Sequence, residues 1–436
     1  MSSARGVADP YVPDSGDLSF DVHRYDLELS YRLSSNRLAG RAIISARANS
    51  GISMFSLDLA GMQVKKVTVD GARVKRFVHG RRKLQVWLAR TIPAGAGFVV
   101  EVHYSGNPKP LRGAWGSIGW EELDDGVIVA SQPNGAASWF PCNDRPSNKA
   151  SYRITFSTDS PYRVVSNGTL LSQRAGAGQT TWIFDQPEPM ATYLASVQVG
   201  QYELLSIASA PVPQLAALPP RVRPRFDVDF GRQPLMMEIF TRLFGRYPYA
   251  RYTVVITDDA LEIPLEAQGM SVFGSNFVDG RRSYERLVAH ELAHQWFGNS
   301  LTVAGWRDIW LNEGFACYAE WLFSEFSGGP TAQQLAAKYF ERLRGLPQNL
   351  IIADPGPQLM FDDRLYKRGA LTLHALRRRL GDAAFFELLL SWTAENAHGC
   401  VRTADFISHA QAWSSLSLDE FFDGWLFKGS LPNAIR

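Results

Sequence analysis

Between Phe20 and about Gly200 the apolar residues recur with period two. In "HRYDLELSYRL", Tyr25, Leu27, Leu29, Tyr31 and Leu33 alternate with Arg24, Asp26, Glu28, Ser30 and Arg32. That is the pattern of a strand with one buried face. Asp70-Gly71 after "KKVTV" and Asn167-Gly168 after "PYRVVS" read as hairpin turns, because these residue pairs tolerate the positive φ of tight two-residue loops. "ATYLASVQVG" closes the region, so residues 1–201 are expected to form an all-β domain of many strands.

The pattern then changes. "APVPQLAALPPRVRPRF" carries Pro211, Pro213, Pro219, Pro220 and Pro224. So many prolines exclude a helix or a central strand and predict an extended crossing segment over 202–225. Beyond it the apolar spacing becomes helical. "QPLMMEIFTRLFGRYP" has Pro234 near a helix start and Gly245 at its end, and "YTVVIT" and "GMSVFGS" are strand candidates. Helical patterns follow at about 283–299, 306–327, 331–344, 366–380 and 403–427. The second domain, 202–436, is therefore expected to be α+β and mainly helical.

With 436 residues, 45% of them hydrophobic, the chain can fill two or three cores. A net charge of +2 gives no reason to expect nucleic acid or an anionic membrane as partner. Cys142, Cys317 and Cys400 are odd in number and far apart, which argues against a disulfide framework and for a reducing compartment. "MSSARGVADPYVPDSGD" has neither the basic start nor the apolar run of a secretory leader, and no stretch reaches membrane-spanning length. The expectation is a cytoplasmic protein; oligomeric state is not readable.

The candidate chemistry lies in "RRSYERLVAHELAHQWFGNS". Residues four apart on a helix share a face, so His290 and His294 can aim both imidazoles at one point, the arrangement zinc takes in tetrahedral sites. Glu291 sits at the edge of that face, able to reach a water there without ligating. A buried helix with two incidental histidines would look the same over five residues, and Glu313 decides between them. It follows His294 after 18 residues in "WLNEGFACYAEW", a gap that suits a reversal and a second helix beside the first. Two histidines and one carboxylate leave a fourth position open, the catalytic rather than the closed structural type. Glu320, seven residues after Glu313, returns to the same face; it is either a partner that orients a metal-bound histidine or a helix-surface glutamate. Cys317 reads as packing.

"HELAH", eighteen residues, then "NEGFA" resembles the gluzincin zinc aminopeptidases of the aminopeptidase N and leukotriene-hydrolase type. "SWFPCNDRPSNKASY", "LYKRGALTLHAL" and "FFDGWLFKGSLP" resemble further segments of that family, so the likeness spans roughly residues 15–432. It implies an N-terminal β-sandwich-like saddle followed by a thermolysin-like catalytic domain, with one Zn²⁺ per chain and peptide substrates. Tyr366, by its place in "LYKRGA", becomes the family's transition-state tyrosine, donating to the developing oxyanion; among fifteen tyrosines, spacing alone does not single it out. The family's "GAMEN" strand aligns with "IPLEA", keeping only Glu266, which the resemblance assigns to gripping the free α-amino group. In "ASQPNG", where the family has Gln-x-Glu, this chain keeps Gln132 but has Asn134. That replaces one charge-assisted contact to an ammonium by a neutral one.

Family members commonly continue into a small β domain and a helical domain that covers the site, whereas here only Asn433 to Arg436 follow "KGSLP". The resemblance thus leads to a short form with a more open site. The expected activity is zinc-dependent removal of N-terminal residues from peptides. The alternatives are a weakly active or inactive peptide-binding scaffold that retains zinc, and a zinc hydrolase acting on a non-peptide or internal bond.

Overall fold

The strand predicted around Tyr25–Tyr31 runs over Phe20–Arg32, with Tyr25, Leu27, Leu29 and Tyr31 buried. In the computed structural model, which describes residues 8–435, this strand lies inside an eight-stranded sheet. It pairs in parallel with Lys149–Asp159 and antiparallel with Arg37–Ala48. A five-stranded sheet (Arg163–Ser166, Val197–Gly200, Gly126–Ala130, Gly116–Leu123, Leu111–Gly113) and a three-stranded one (Ile52–Asp58, Lys83–Ile92, Arg76–His79) complete the β half. Aromatic rings join the layers: Tyr31 meets Trp120 edge-on at 4.9 Å, the geometry that the ring quadrupoles favour. The first seven residues, on which part of the leader reading falls, lie outside the described residues.

Asp70-Gly71 is a hairpin turn, with φ of 50° and 74° between Gln63–Val69 and Ala72–Arg73. Asn167-Gly168 is not. Arg163–Ser166 pairs with Val197–Gly200, while Thr169–Ala175 joins the eight-stranded sheet beside Gln179–Ala191, so these two residues carry the chain from one sheet to another. Asn167 is buried there, donating to the Leu194 and Gln268 carbonyls and accepting from Ser196 N–H. Gly168 has φ 79°, and a Cβ on it would lie 2.2 Å from the Asp185 carbonyl oxygen. The dipeptide serves long-range hydrogen bonding, which a local turn signal cannot reveal.

The crossing segment at 202–225 is also corrected. It holds two strands, Glu203–Ala208 and Gln214–Leu218, the second paired on both sides within a sheet that continues through Tyr252–Ile256, Met270–Phe273 and the edge strand Leu265–Ala267. The prolines fall where they are tolerated. Pro211 and Pro213 lie between the strands, and Pro224 sits in the first turn of helix α1 (Arg223–Asp229), where a missing N–H is no loss.

Eight more helices follow among the described residues: α2 (Gln233–Phe244), α3 (Glu285–Ala293), α4 (Trp310–Phe326), α5 (Ala332–Arg344), α6 (Asp363–Leu380), α7 (Asp382–Glu395), α8 (Thr403–Gln411) and α9 (Asp419–Phe422). The sequence pattern does not separate α7, because "AAFFELLLSW" is too continuously apolar to show a period. Conversely, the single helix expected over 403–427 is broken. Ser414 donates to the Leu416 carbonyl and Ser417 accepts from Asp419 N–H, local bonds that compete with helix. α4 lies against both α3 and α6.

The two halves are pinned together near the end of α3. The Lys149 ammonium, on a strand of the large sheet, donates to the carbonyls of Asn299, Ser300 and Gly399 at 3.0, 2.7 and 3.3 Å. Burial pushes its pKa down to about 8. Tyr193 O–H donates to the Gly298 carbonyl, and Trp306 N–H to Asp9. No described helix is long and apolar enough to cross a membrane.

Candidate active site

α3 is buried from Val288 to Ala293, so its polar residues face a protein interior. His294 N–H donates to the His290 carbonyl at 3.2 Å, which sets the two imidazoles one turn apart and edge to face, with ring centroids 4.7 Å apart. The chain then turns at Gly298, whose φ of 119° a side chain would strain and whose Cβ would lie 3.2 Å from His294 Nδ1. That turn returns the backbone to α4, where Glu313 lies in the first turn.

Glu313 Oε2 lies 3.5 Å from His290 Nε2 and 3.4 Å from His294 Nε2. Both Nδ1 atoms are committed elsewhere: His290 Nδ1 to Glu320 at 2.8 Å, His294 Nδ1 to the Phe297 carbonyl at 3.0 Å. A neutral ring that donates from Nδ1 presents a lone pair at Nε2, so with both histidines neutral three electron-rich atoms converge on one point. They lie within 4.8 Å of each other. A tetrahedral ion with bonds of about 2.0–2.1 Å sets its ligands about 3.3–3.4 Å apart, so the donor set fits zinc.

The electrostatics point the same way. Burial works against a charged His294, yet the Glu313 and Glu266 carboxylates outweigh it and hold its pKa up to about 10. Burial likewise opposes ionisation of Glu313, but the two histidines bring it down to about 2. The pocket attracts positive charge at its centre.

The other predicted residues surround this triangle. Glu291 is buried and its Oε2 has no hydrogen-bond partner; burial pushes its carboxyl up to about 7. Glu266, on the edge strand, accepts from Gln132 Nε2 at 2.7 Å and lies with Glu291 and His294 in a second close group. That group shares His294 with the triangle, so the two sets do not make independent sites. Asn134 donates to Ser15 Oγ at 2.9 Å, leaving its carbonyl oxygen as acceptor. The Tyr366 ring lies parallel to His290, 6.0 Å between centroids. Burial, with Glu313, Glu266 and Glu291 nearby, raises its phenol well above the usual range. Glu320 is buried against His290 and also meets Arg286 at 3.4 Å; of its two readings, the surface one does not hold.

Three supporting residues escape sequence reasoning. Ser15 orients Asn134 from 119 positions away. Gln295 accepts from Gly269 N–H at 2.8 Å and donates to the Ala267 carbonyl, and Asn299 donates to that same carbonyl. They tie the end of α3 to the strand that carries Glu266. Nothing in the sequence distinguishes these amides from ordinary surface ones.

Known proteins match both halves. Residues 22–194 match the peptidase M1 N-terminal domain and residues 230–425 the peptidase family M1 domain. The chain is 24% identical to a leucyl aminopeptidase of Saccharolobus solfataricus, covering 94% of this chain and 54% of that protein. It is 25% identical to human endoplasmic reticulum aminopeptidase 1, covering 91% and 45%. The chain thus spans about half the length of the curated relatives it matches. An M1 zinc metallopeptidase from Deinococcus radiodurans superposes with a TM-score of 0.89 at 29% identity, over 99% of both chains. A variant of that enzyme bound to a Tyr-Ser-Ala substrate superposes at 0.90, also at 29% identity, over 99% of this chain and 100% of the other. With both of the family's domains matched in order, and the whole fold shared, the chain belongs to peptidase family M1.

Proposed function

We propose that this chain is a zinc-dependent aminopeptidase, with one Zn²⁺ held by His290, His294 and Glu313, and with the division between saddle and catalytic domains at residues 201/202. The observation that carries the reading is the adjacency of two unlike groups. A triangle of metal donors stands beside a carboxylate, Glu266, with an amide on it. A donor triangle alone would serve any zinc hydrolase; the Glu266–Gln132 pair next to it suits a substrate that ends in an ammonium.

When bound, zinc supplies a Lewis acid for the scissile carbonyl and the attacking water. The remaining work falls to the chain's own side chains. Glu266 takes the α-ammonium in a charge-assisted hydrogen bond, while the oxygens of Gln132 and Asn134 add neutral acceptors. This fixes the amino end so that the first peptide bond lies over the triangle. Glu291, with one buried oxygen unpartnered, accepts the water's proton and passes it to the leaving amine. Burial has raised its carboxyl toward neutrality, which suits a group that must both take and return a proton near pH 7. Tyr366 donates its hydroxyl hydrogen to the oxygen that gains charge in the transition state. Peptides are the substrates, and the free cysteines suit a reducing, cytoplasmic setting.

The test is turnover of aminoacyl-arylamides and a free tripeptide by protein stripped with a chelator and then reloaded. The reading requires activity to vanish on stripping and to return with zinc. Activity that survives stripping, or a zinc-loaded protein that cleaves neither substrate, would overturn it.

A further inference from the structure

Two glycines lie where the catalytic helices cross. Gly314 follows Glu313 in α4, and Gly369 stands one turn after Tyr366 in α6. Neither has a positive φ, so backbone conformation does not demand glycine, and glycine is a poor residue for a helix interior. The reason for them is distance. A Cβ on Gly314 would lie 2.8 Å from the Cα of Gly369, and a Cβ on Gly369 would lie 2.7 Å from the Cα of Gly314. The obstructing atoms are backbone, and the Trp310 ring closes the space at 3.4 and 3.7 Å from the two Cβ positions, so no flexible side chain can yield.

This contact sits between two parts of the site. Glu313 lies on one side, next to Gly314; Tyr366 lies on the other, with its ring along His290. Resting on the reading of Tyr366 given above, we propose that the Gly314–Gly369 contact is a positioning device that sets how closely the Tyr366 hydroxyl approaches the reacting carbonyl. Carbon atoms pack at about 3.5–4.0 Å, so one methyl group at either position separates the helices by roughly 1 Å at the level of Tyr366. Both helices are buried at the contact, α4 from Trp310 to Phe323 and α6 from Lys367 to Arg377, so the device requires Tyr366 rather than Glu313 to be displaced, and zinc affinity reads which of the two moves. A misplacement of about 1 Å can cost on the order of 10²-fold in rate. Alanine at Gly369 adds no backbone strain and favours helix, so the loss is not one of helix formation.

The experiment compares Gly369→Ala, Tyr366→Phe and the double variant, with Gly314→Ala as a second wedge from the opposite helix. Steady-state turnover of an aminoacyl-arylamide is measured together with zinc affinity by chelator competition. Gly369→Ala is expected to lower kcat by about 10- to 10²-fold with KM little changed. If Tyr366 is what moves, zinc affinity stays within about threefold of the parent, since two histidines and Glu313 then remain in place. Added to Tyr366→Phe, the same alanine is expected to cost no more than about threefold further, because the hydroxyl it misplaces is already gone. Equal losses in both backgrounds, or zinc affinity falling more than tenfold, would overturn the inference and make the contact a support for Glu313 or for packing. Failure of both wedge variants to fold would do the same. If Tyr366→Phe alone leaves kcat unchanged, the reading of Tyr366 fails and this inference falls with it; a large effect of Tyr366→Phe with none from either wedge overturns the inference alone.

Discussion

At the scale of single residues, the role proposed for Glu291 separates metal binding from chemistry. It adjoins the triangle but is not a member of it, so Glu291→Gln should retain zinc and lose activity by about 10²–10⁴-fold, the usual contribution of a general base. Metal analysis beside turnover checks both halves, and near-normal turnover would remove the assignment. Glu266→Ala should be severe for a different reason: it leaves an ammonium facing only neutral acceptors, and charge-assisted bonds are about twice as strong. The expected result is a fall in kcat/KM for free-amine substrates with zinc unchanged. Glu320→Ala should weaken zinc by about 10–100-fold, read by chelator competition, because the His290 imidazole loses the group that fixes its tautomer. The grouping of His290, His294 and Glu313 was legible in the sequence because helical period forces residues four apart onto one face and the 18-residue gap to Glu313 suits a second helix beside the first. The roles proposed for Glu266 and Tyr366 came only through family resemblance. The orientation of Glu320 stayed open because a spacing of seven names a face without saying which way it points. Ser15 was out of reach, being joined to Asn134 only by folding.

At the scale of elements, the edge strand Leu265–Ala267 carries Glu266 but, among the described residues, pairs with only one neighbouring strand. Its other support comes from Gln295 and Asn299 at the end of α3. Gln295→Leu keeps the volume, removes the amide's bonds to the Ala267 and Met270 carbonyls and leaves Gly269 N–H without its acceptor. KM for free-amine substrates should rise by about tenfold while kcat changes little and zinc is retained, the signature of a binding contact shared by ground and transition states. A loss confined to kcat would show that the strand's placement serves the chemical step instead. Most elements could be read from periodicity; the failures share a cause. Asn167-Gly168, the Pro-rich segment and the break after α8 were each decided by what the residues touch. Asn167 bonds across sheets, the prolines at 211 and 213 sit outside the strands they flank, and the serines at 414 and 417 hold a local turn. α7 was hidden by an apolar run with no polar face to reveal its period.

At the scale of the molecule, the site belongs to both halves. Gln132 and Asn134 come from the β half, Glu266 from the mixed sheet, and the donor triangle from α3 and α4. Lys149 and Tyr193 pin the turn after α3 from the β side. Zinc bound only by the native state stabilises whatever unfolds with the site, by about 4 kcal/mol at a thousandfold excess over Kd. Stripping zinc should therefore lower the thermal midpoint of one transition that includes the β sheets. Two transitions in calorimetry, only one of them zinc-sensitive, would show the halves to be energetically separate. The two-domain order was legible as a switch from period two to period 3.6; the pins between the halves were not, since each joins residues far apart in sequence. On the proposed function, a free α-amino group is read beside the zinc donors. One tripeptide, assayed with its amino terminus free and again N-acetylated on the same zinc-loaded preparation, tests it most directly. Release of the first residue from the free peptide and no cleavage of the acetylated one is the predicted result; equal cleavage of both, or internal cuts in the acetylated peptide, would contradict it.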